Sequence, residues 1–185
     1  KDRLYCEGTA SKTRRAAQTT LHSILEVLVH LMAPILSFTA EEIWKYMPKA
    51  KGAPSSVHIA LFAEEEELRS GLAPARAADW ELLAKVRAEV LKALEAARNE
   101  KRINSGLEAK VLLSGNPELR AKLKHHLAQL PGLFIVSQVD FLTAGAPEYK
   151  SEIVPSLEVS VQKADGAKCE RCWNYSVRVG EFEKF

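Results

Sequence analysis

The chain has 185 residues, of which 46% are hydrophobic and 27% are charged, and its formal net charge at pH 7 is +2. This composition is ordinary for a globular protein and excludes a chain that stays disordered for lack of apolar residues, and no apolar run approaches the roughly 20 residues of a membrane span. Because the net charge is small, no global positive field favours nucleic acid, and a surface for RNA would have to come from local clusters of Lys and Arg.

A long amphipathic helix is predicted from Lys12 to the vicinity of Pro34. Its apolar residues recur in steps of three and four, at Leu21, Ile24, Leu25, Leu28, Leu31, Met32 and Ile35. Val27 and Val29 widen this stripe beyond one face, which predicts a helix inside a bundle. The helix is expected to end near Pro34, because a proline ring in a helix interior removes a hydrogen bond.

Three cations, Lys12, Arg14 and Arg15, stand at the N-terminal end of this helix, where the helix dipole favours anions. Either a polyanion approaches this end, or the side chains are simply solvated. Gln18 lies one turn further on and shares their face, so it could offer hydrogen bonds to base edges. These four residues are candidate RNA contacts.

A second helix is predicted to begin at a capping box formed by Thr39 and Glu42. Ile43 and Trp44 follow as its buried face, and Pro48 ends it. The following residues, 48–78, resemble a linker, and their run of carboxylates at 64–67 is interpreted as a solvated surface rather than a pair of catalytic acids.

A third helix is predicted from about Asp79 to about Arg102, with a buried stripe at Leu83, Val86, Val90, Leu94 and Ala97. Trp80, like Trp44, is expected in or near the core. Arg98, Lys101 and Arg102 crowd the C-terminal end of this helix. Cations stabilise that end through the helix dipole, so these three residues are either structural or a second set of RNA contacts.

After Gly106 the hydrophobic period changes from helical to two, which predicts a small α+β unit. Strands are expected at 107–113, 135–141 and 157–161, and a helix at 117–130 that ends at Pro131-Gly132. The predicted fold class is therefore α+β. The predicted domains are a helical bundle at 1–106, a junction domain at 107–165 and an incomplete zinc knuckle at 166–185.

The strongest chemical signal is the sequence CERCW at 169–173. Cys169 and Cys172, separated by two residues, can both face one Zn²⁺ from a tight turn. Structural zinc normally takes four ligands, and no second pair follows, so these cysteines are predicted to be half of a zinc site. Cys6 is interpreted as a small apolar residue. A redox pair is the alternative, but no thioredoxin-like strand and helix frame the motif.

Arg171 and Trp173 flank this motif. The indole either packs on the turn's own backbone or serves as a platform for an unpaired base, with the guanidinium adding charge. Proteins read single-stranded RNA loops in the second way. Both residues are therefore candidate RNA contacts.

Several short sequence segments resemble one protein family. RRAAQ and LMAPILSFTAEEIW are similar to the helical anticodon-binding domain of class I aminoacyl-tRNA synthetases of the isoleucine, valine and leucine group, and RNEKRINSGLEA resembles that domain's last helix and following turn. KCERCW resembles the cysteine-rich C-terminal element of the bacterial-type isoleucine enzymes. The resemblance covers nearly the whole chain.

This resemblance implies an RNA-binding part of a ligase that attaches isoleucine to its tRNA. The expected partner is the anticodon stem-loop of an isoleucine tRNA, and the expected cofactor is one zinc ion per full-length chain. The family's ATP-binding signatures are absent here, so no catalytic residue is predicted. The catalytic and editing domains, with ATP and Mg²⁺, would lie N-terminal to Lys1 in a cytoplasmic monomer.

Three other interpretations remain open. The region could belong to a valyl- or leucyl-tRNA synthetase. It could be a structural or protein-interaction helical domain whose zinc knuckle only stabilises the fold. A thiol oxidoreductase is retained only because of the cysteine pair.

Overall fold

The computed structural model describes residues 2–62, 64–66, 74–143 and 145–181. Helices and sheets occur together, which is compatible with the predicted α+β class. Contacts divide the chain into two compact units, Lys1–Leu72 and Ala73–Phe185. The division therefore falls at 72/73, whereas the sequence suggested a boundary after residue 106. Among the described residues, no helix is both long enough and apolar enough to cross a membrane.

The first unit is built from helices α1 (Asp2–Tyr5), α2 (Lys12–Met32) and α3 (Ser37–Tyr46) and a short 3₁₀ turn, Val57–Ile59. Its core is small and consists of side chains from α2, α3 and the segments that follow each of them, namely Val29, Ala33, Ala40, Trp44, Met47 and Val57. Trp44 is 3% exposed, as predicted, and its indole Nε1 donates to the carbonyl of Pro54 at 3.1 Å.

The connection between α2 and α3 differs from the prediction at one end. Helix α2 ends at Met32, next to Pro34, as expected. The predicted capping box is wrong, because α3 begins at Ser37 and no side chain caps it. The hydroxyl of Ser37 instead donates to the carbonyl of Ala33 at 3.0 Å. The turn around Pro34 keeps the chain in helical hydrogen bonds, so α3 starts before Thr39.

Most of the predicted apolar stripe of α2 is exposed. Val29, at its margin, is fully buried and Met32 is half-buried against the core, but the other side chains of the stripe are between one-third and four-fifths exposed, namely Leu21, Ile24, Leu25, Leu28, Leu31 and Ile35. Phe38, at the start of α3, is 94% exposed. The first unit thus presents a continuous apolar face, which the predicted bundle would have buried.

The last part of the predicted carboxylate run, Glu67, lies outside the described residues. The glutamates at 64–66 are exposed, as expected for a solvated surface.

The second unit is a sheet with helices packed against it. Its elements in chain order are α4 (Pro74–Asn99), β1 (Ala109–Ser114), α5 (Pro117–His126), α6 (Leu130–Phe134), β2 (Gln138–Phe141), β3 (Tyr149–Lys150) and β4 (Glu158–Lys163). The strand order is β2-β1-β4-β3. Strands β1 and β2 are parallel, and the other neighbours are antiparallel.

The core of this unit lies between α4 and the sheet. Ala109, Val111 and Leu113 alternate along β1 with partly exposed residues and are fully buried. They join the predicted α4 stripe from Leu83 to Ala97 in one cluster. Trp80 precedes this stripe and is 43% exposed, so its predicted burial is wrong.

Several boundaries in this unit differ from the sequence prediction. The helix expected from about Asp79 to Arg102 spans Pro74–Asn99, and the strand expected from 135 begins at Gln138. The first strand starts at Ala109, because Gly106–Glu108 forms a 3₁₀ turn. Pro131 does not stop a helix; it lies in the first turn of α6, where its missing N–H is no loss. Ile135, in the left-handed conformation with φ of 60°, follows as the cap.

A buried carboxylate ties α4 to the loop after β3. Glu89 is fully buried. Its Oε1 lies 2.8 Å from the ammonium nitrogen of Lys92, and its Oε2 accepts the backbone N–H of Glu152 at 2.9 Å and the hydroxyl of Tyr149 at 3.3 Å. The Lys92 hydrogen bond, more than any other contact, lowers the pKa of Glu89 to about 2, against the opposing effect of burial.

Replacing Glu89 with Gln should destabilise the second unit. An amide keeps the shape, but its NH₂ group must face either the Lys92 ammonium or the N–H of Glu152, so a donor loses its acceptor. The expected loss in the free energy of unfolding at pH 7 is about 1–3 kcal/mol, measured by urea denaturation. Glu95→Gln, which breaks an exposed ion pair with Arg98, is the control and should cost less than about 1 kcal/mol.

The pH dependence of that loss follows from the lowered pKa. The folded-state pKa of Glu89 is about 2, below its ordinary value of 4.5, so its stabilisation is present above pH 4.5 and is lost as pH falls toward 2. The difference in stability between wild type and Glu89→Gln should shrink over that window. A difference that stays constant would contradict the assignment.

Candidate nucleic-acid interface and metal site

The two predicted zinc ligands lie in one tight turn. Strands β5 (Ala167–Lys168) and β6 (Tyr175–Ser176) pair antiparallel and form a short hairpin, here called the cysteine hairpin, whose turn carries both thiols. The backbone N–H of Cys169 donates to the carbonyl of Asn174, and the N–H of Trp173 donates to the carbonyl of Cys169, each at 2.8 Å. Trp173 is in the left-handed region with φ of 67°. These bonds fix the spacing of the two cysteines.

The turn favours the thiolate form of its first cysteine. The backbone N–H groups of Cys172 and then Arg171 donate toward Cys169, and with the Cys172 side chain they lower the pKa of its thiol. The thiolate is the form that binds metal, and thiolates suit zinc. Within the described ranges, no cluster of three or more His, Cys, Asp or Glu residues is placed to hold a metal. The two thiols of this turn are chemically compatible with two ligands of one zinc ion.

The cysteine hairpin is attached to the sheet at the start of β2. The hydroxyl of Ser137 accepts the backbone N–H of Tyr175 at 2.7 Å and itself donates to the carbonyl of Leu107. Gly166 precedes β5 with φ of 88°, and a Cβ placed there would lie 2.2 Å from the carbonyl carbon of Ser176. Only glycine allows this approach of the two strands.

A groove of about 690 Å³ lies beside the hairpin. Its walls are the C-terminal half of α4, the turn at 105–108, the residues at the end of α6, and the hairpin itself. Most of the lining is apolar, and Trp173 and Ile135 contribute side chains that are 51% and 60% exposed. The groove thus has room for a flat aromatic group next to an exposed indole.

Two cations stand at this groove. The ammonium nitrogen of Lys168 lies 5.6 Å from the centre of the Trp173 ring, within the range of a cation–π contact. Arg98, exposed, pairs with Glu95 on the same helix. The predicted residues Arg98 and Trp173 therefore share one groove, together with Lys168, which the sequence prediction missed. The signal for Lys168 was present, since it immediately precedes Cys169.

Lys101 and Arg102 have different environments at the end of α4. Lys101 is exposed and left-handed, with φ of 58°. Arg102 bonds to Glu100 at 2.7 Å, to Glu148 at 3.0 Å and to the carbonyl of Val161 at 2.6 Å. The hydrogen bond to Glu100 is the main reason that the pKa of Arg102 is raised. These contacts use Arg102 to join the helix end to the sheet.

The predicted contacts on α2 belong to the first unit. Lys12, Arg15 and Gln18 are exposed. Arg14 is half-buried, and its Nη1 donates to the carbonyl of Leu4 and, at 3.5 Å, to that of Glu7. Arg14 therefore holds the segment before α2 against the helix. Arg171, in the hairpin turn, is exposed.

Comparison with known proteins places most of the chain in one family. Residues 1–113 match the sequence profile described as the anticodon-binding domain of tRNA ligase. The chain is 45% identical over 183 residues to an isoleucine–tRNA ligase of Syntrophotalea carbinolica and 43% identical over 184 residues to that of Desulforudis audaxviator. A third relative, the isoleucine–tRNA ligase of Cronobacter sakazakii, is 40% identical over 187 residues.

These alignments cover 98%, 95% and 98% of this chain but 19% of each relative. The chain spans about a fifth of the length of the curated relatives it matches, and it corresponds to a C-terminal part of them. The family resemblance inferred from the short sequence segments is confirmed.

Substituting alanine for Gly166 should open the cysteine hairpin. The added methyl group meets the backbone of Ser176, which cannot move without loss of the strand pairing. Hydrogen exchange of the Cys169 and Trp173 amides should become at least about tenfold faster, which corresponds to about 1.4 kcal/mol of local stability.

Gly180→Ala is the matched control. Gly180 also has a positive φ, of 93°, but nothing lies within 4 Å of a Cβ built there. It should carry only the left-handed strain of about 1–2 kcal/mol, with no effect on the hairpin amides. Equal effects of the two substitutions would show that close packing at Gly166 is not what matters.

Proposed function

The chain belongs to the family of anticodon-binding domains of tRNA ligases, and we propose that it binds the anticodon stem-loop of a tRNA, with isoleucine tRNA as the cognate molecule. It would do so as the C-terminal part of a cytoplasmic, monomeric isoleucine–tRNA ligase. The assignment to isoleucine rests on the names of the relatives.

The observation that carries this proposal is the half-exposed indole of Trp173 at the mouth of an apolar groove, with the Lys168 ammonium over its ring. Unpaired bases stack on aromatic side chains in this way, and neighbouring cations contact the phosphates. Lys168 and Arg98 line the groove. They can therefore contact the phosphates of an RNA whose base enters it. Arg171, on the same turn, adds charge.

The exposed predicted residues of α2 in the first unit, and of the end of α4 in the second, are further proposed RNA contacts, each set on its own unit. Lys12, Arg15, Gln18 and Lys101 are accessible to a ligand. Arg14 and Arg102 are engaged with carbonyl and carboxylate groups of the protein, so we assign them to the fold rather than to direct RNA contact.

The proposed contribution to aminoacylation is positional. Contacts with the anticodon provide binding energy that orients the distant acceptor end of the tRNA. ATP, Mg²⁺ and the catalytic residues would belong to another part of the ligase. No residue of this chain is proposed to take part in bond making.

We also propose that Cys169 and Cys172 hold a zinc ion together with two ligands from outside the described residues. The metal would fix the turn that carries Trp173 and Arg171. The backbone N–H groups that donate toward Cys169 support this, because they stabilise the thiolate that a metal needs.

The helical bundle predicted for the first part of the chain belongs to the same proposal. The open stripe of α2 has the width and spacing of a buried helix face. We propose that further helices of the longer ligase cover it.

Removing the indole should weaken RNA binding. Trp173→Ala should reduce the affinity for an anticodon stem-loop by about 5- to 150-fold, the equivalent of one stacked base at about 1–3 kcal/mol. Fluorescence anisotropy of a labelled stem-loop measures the change, and the affinity should fall with salt at a slope of about −0.7 for each single-strand phosphate neutralised. Trp80→Ala, which removes a similarly exposed indole outside the groove, is the control.

Binding that is absent or insensitive to salt would favour the structural alternative, in which the chain is a helical interaction domain. Binding that is salt-dependent but unaffected by Trp173→Ala would place the RNA elsewhere on the chain.

Zinc should protect two of the three cysteines from alkylation. With added Zn²⁺, the reaction of Cys169 and Cys172 with iodoacetamide should slow, because a metal-bound thiolate is a poorer nucleophile. Cys6, on the first unit, is the internal control and should react at an unchanged rate. Mass spectrometry of the three peptides reports the rates. The measurement is made on a longer ligase chain that supplies the other two ligands, and equal rates with and without zinc there would contradict the metal assignment.

A further inference from the structure

The side chain of Gln138 makes an unusual set of contacts at the start of β2. Its Nε2 donates to the carbonyl of Asp165, and its Oε1 accepts the N–H of the same residue, each at 2.9 Å. The Nε2 group also lies 3.4 Å from the carbonyl of Tyr175. One amide therefore pairs with the backbone on both sides of the cysteine hairpin.

These contacts matter because the hairpin is too short to be stable by itself. Each of its strands is two residues long, and an isolated two-stranded hairpin is marginally stable at best. Asp165 leads into β5, and Tyr175 opens β6. The side-chain amide thus extends the hydrogen bonding of the sheet to the hairpin and orients it relative to β2.

We propose that Gln138 is a positioning residue for the RNA site, and that it acts by fixing the cysteine hairpin so that Trp173 faces the groove. Gln138 is not among the residues that line the groove, so it acts through the hairpin and not by touching the ligand. The link to RNA rests on the proposed function. The link between Gln138 and the placement of the indole does not.

The amide is specifically required. A carboxylate of the same length would accept the N–H of Asp165, but it would lose both donor bonds and face two carbonyl oxygens. The charged groups around this position are Lys110, the cross-strand neighbour of Gln138 in β1, and Asp165, whose carboxylate lies 2.6 Å from the Lys110 ammonium. A new carboxylate at 138 would compete with Asp165 for this ammonium and loosen the same corner further.

The sheet offers a matched control for this substitution. Gln162 in β4 is the cross-strand neighbour of Lys110 on its other side, and it is exposed. Gln162→Glu therefore introduces the same charge beside the same lysine, on the same sheet, at a position where the side chain does not reach the hairpin.

The test compares Gln138→Glu with Gln162→Glu in the full 185-residue chain labelled with 5-fluorotryptophan. The chain has three tryptophans, and Trp173→Phe assigns the ¹⁹F resonance of Trp173. Gln138→Glu should shift and broaden that resonance and speed exchange of the Cys169 and Trp173 amides by at least tenfold. The resonances of Trp44 and Trp80 should not move. Gln162→Glu also places a carboxylate beside Lys110 but keeps the Gln138 amide bonds, so it should change the Trp173 resonance and the hairpin amides much less than Gln138→Glu does.

The second part of the test measures binding of the same labelled anticodon stem-loop. Gln138→Glu should weaken binding at least fivefold in the wild-type background and have no further effect in Trp173→Ala, because a residue that acts through the indole has nothing left to position. Additive losses would show that Gln138 affects binding by some other route.

The two failures are distinguishable. If the wild-type chain does not bind the stem-loop, the proposed function fails while the ¹⁹F and exchange measurements still decide the positioning of Trp173. If Gln138→Glu leaves the Trp173 resonance and the hairpin amides as in wild type, the positioning proposal is overturned whatever the RNA result. If it unfolds the sheet, so that the amides of β1 and β4 also lose protection, the residue is structural and the proposal also falls.

Discussion

The packing of α4 on the four-stranded sheet is the constraint on which the candidate site depends. The helix buries a stripe from Leu83 to Ala97 against β1 and β4, and two polar contacts fix it along its length. Glu89 bonds to the loop after β3, and Arg102 bonds to Glu148 and to β4. These contacts hold the helix against the sheet, and its exposed side forms one wall of the groove. The hairpin that carries Trp173 forms the groove together with this helix.

The site combines this rigid wall with a hairpin that cannot stabilise itself. Its attachment uses backbone groups that would otherwise lack partners, bonded by Ser137 and Gln138 of the neighbouring strand. Gly166 allows the strands to approach closely. A metal on the two cysteines would add a further constraint within the turn. Attachment to the sheet and closure of the turn are thus carried out by different residues.

Secondary-structure elements with a single clear hydrophobic period were predicted well. Features that depend on tertiary contacts were predicted poorly. The helical stripe of α4 and the alternation in β1 are local patterns, and both elements formed with the expected buried residues. The capping box at Thr39 failed because the turn around Pro34 continues helical bonding from α2. Lys168 was missed because its contact with Trp173 depends on the hairpin's fold. Nothing in the spacing of residues 138 and 165 indicated that they would meet.

The predicted RNA-contacting Lys and Arg residues also show that a local sequence pattern does not decide which side chains stay exposed. Clusters at both helix ends predicted RNA contacts as groups, but the structure separates their members by burial. Arg14 and Arg102 are partly buried and bond to carbonyl and carboxylate groups, where a planar guanidinium with several donors is more useful than an ammonium. Lys12, Arg15 and Lys101, beside them in sequence, remain exposed. An RNA surface on this chain therefore cannot be read as a count of basic residues. It depends on which cations stay exposed, and in the second unit Lys168 and Arg98, the latter in an exposed ion pair with Glu95, lie beside the exposed ring of Trp173.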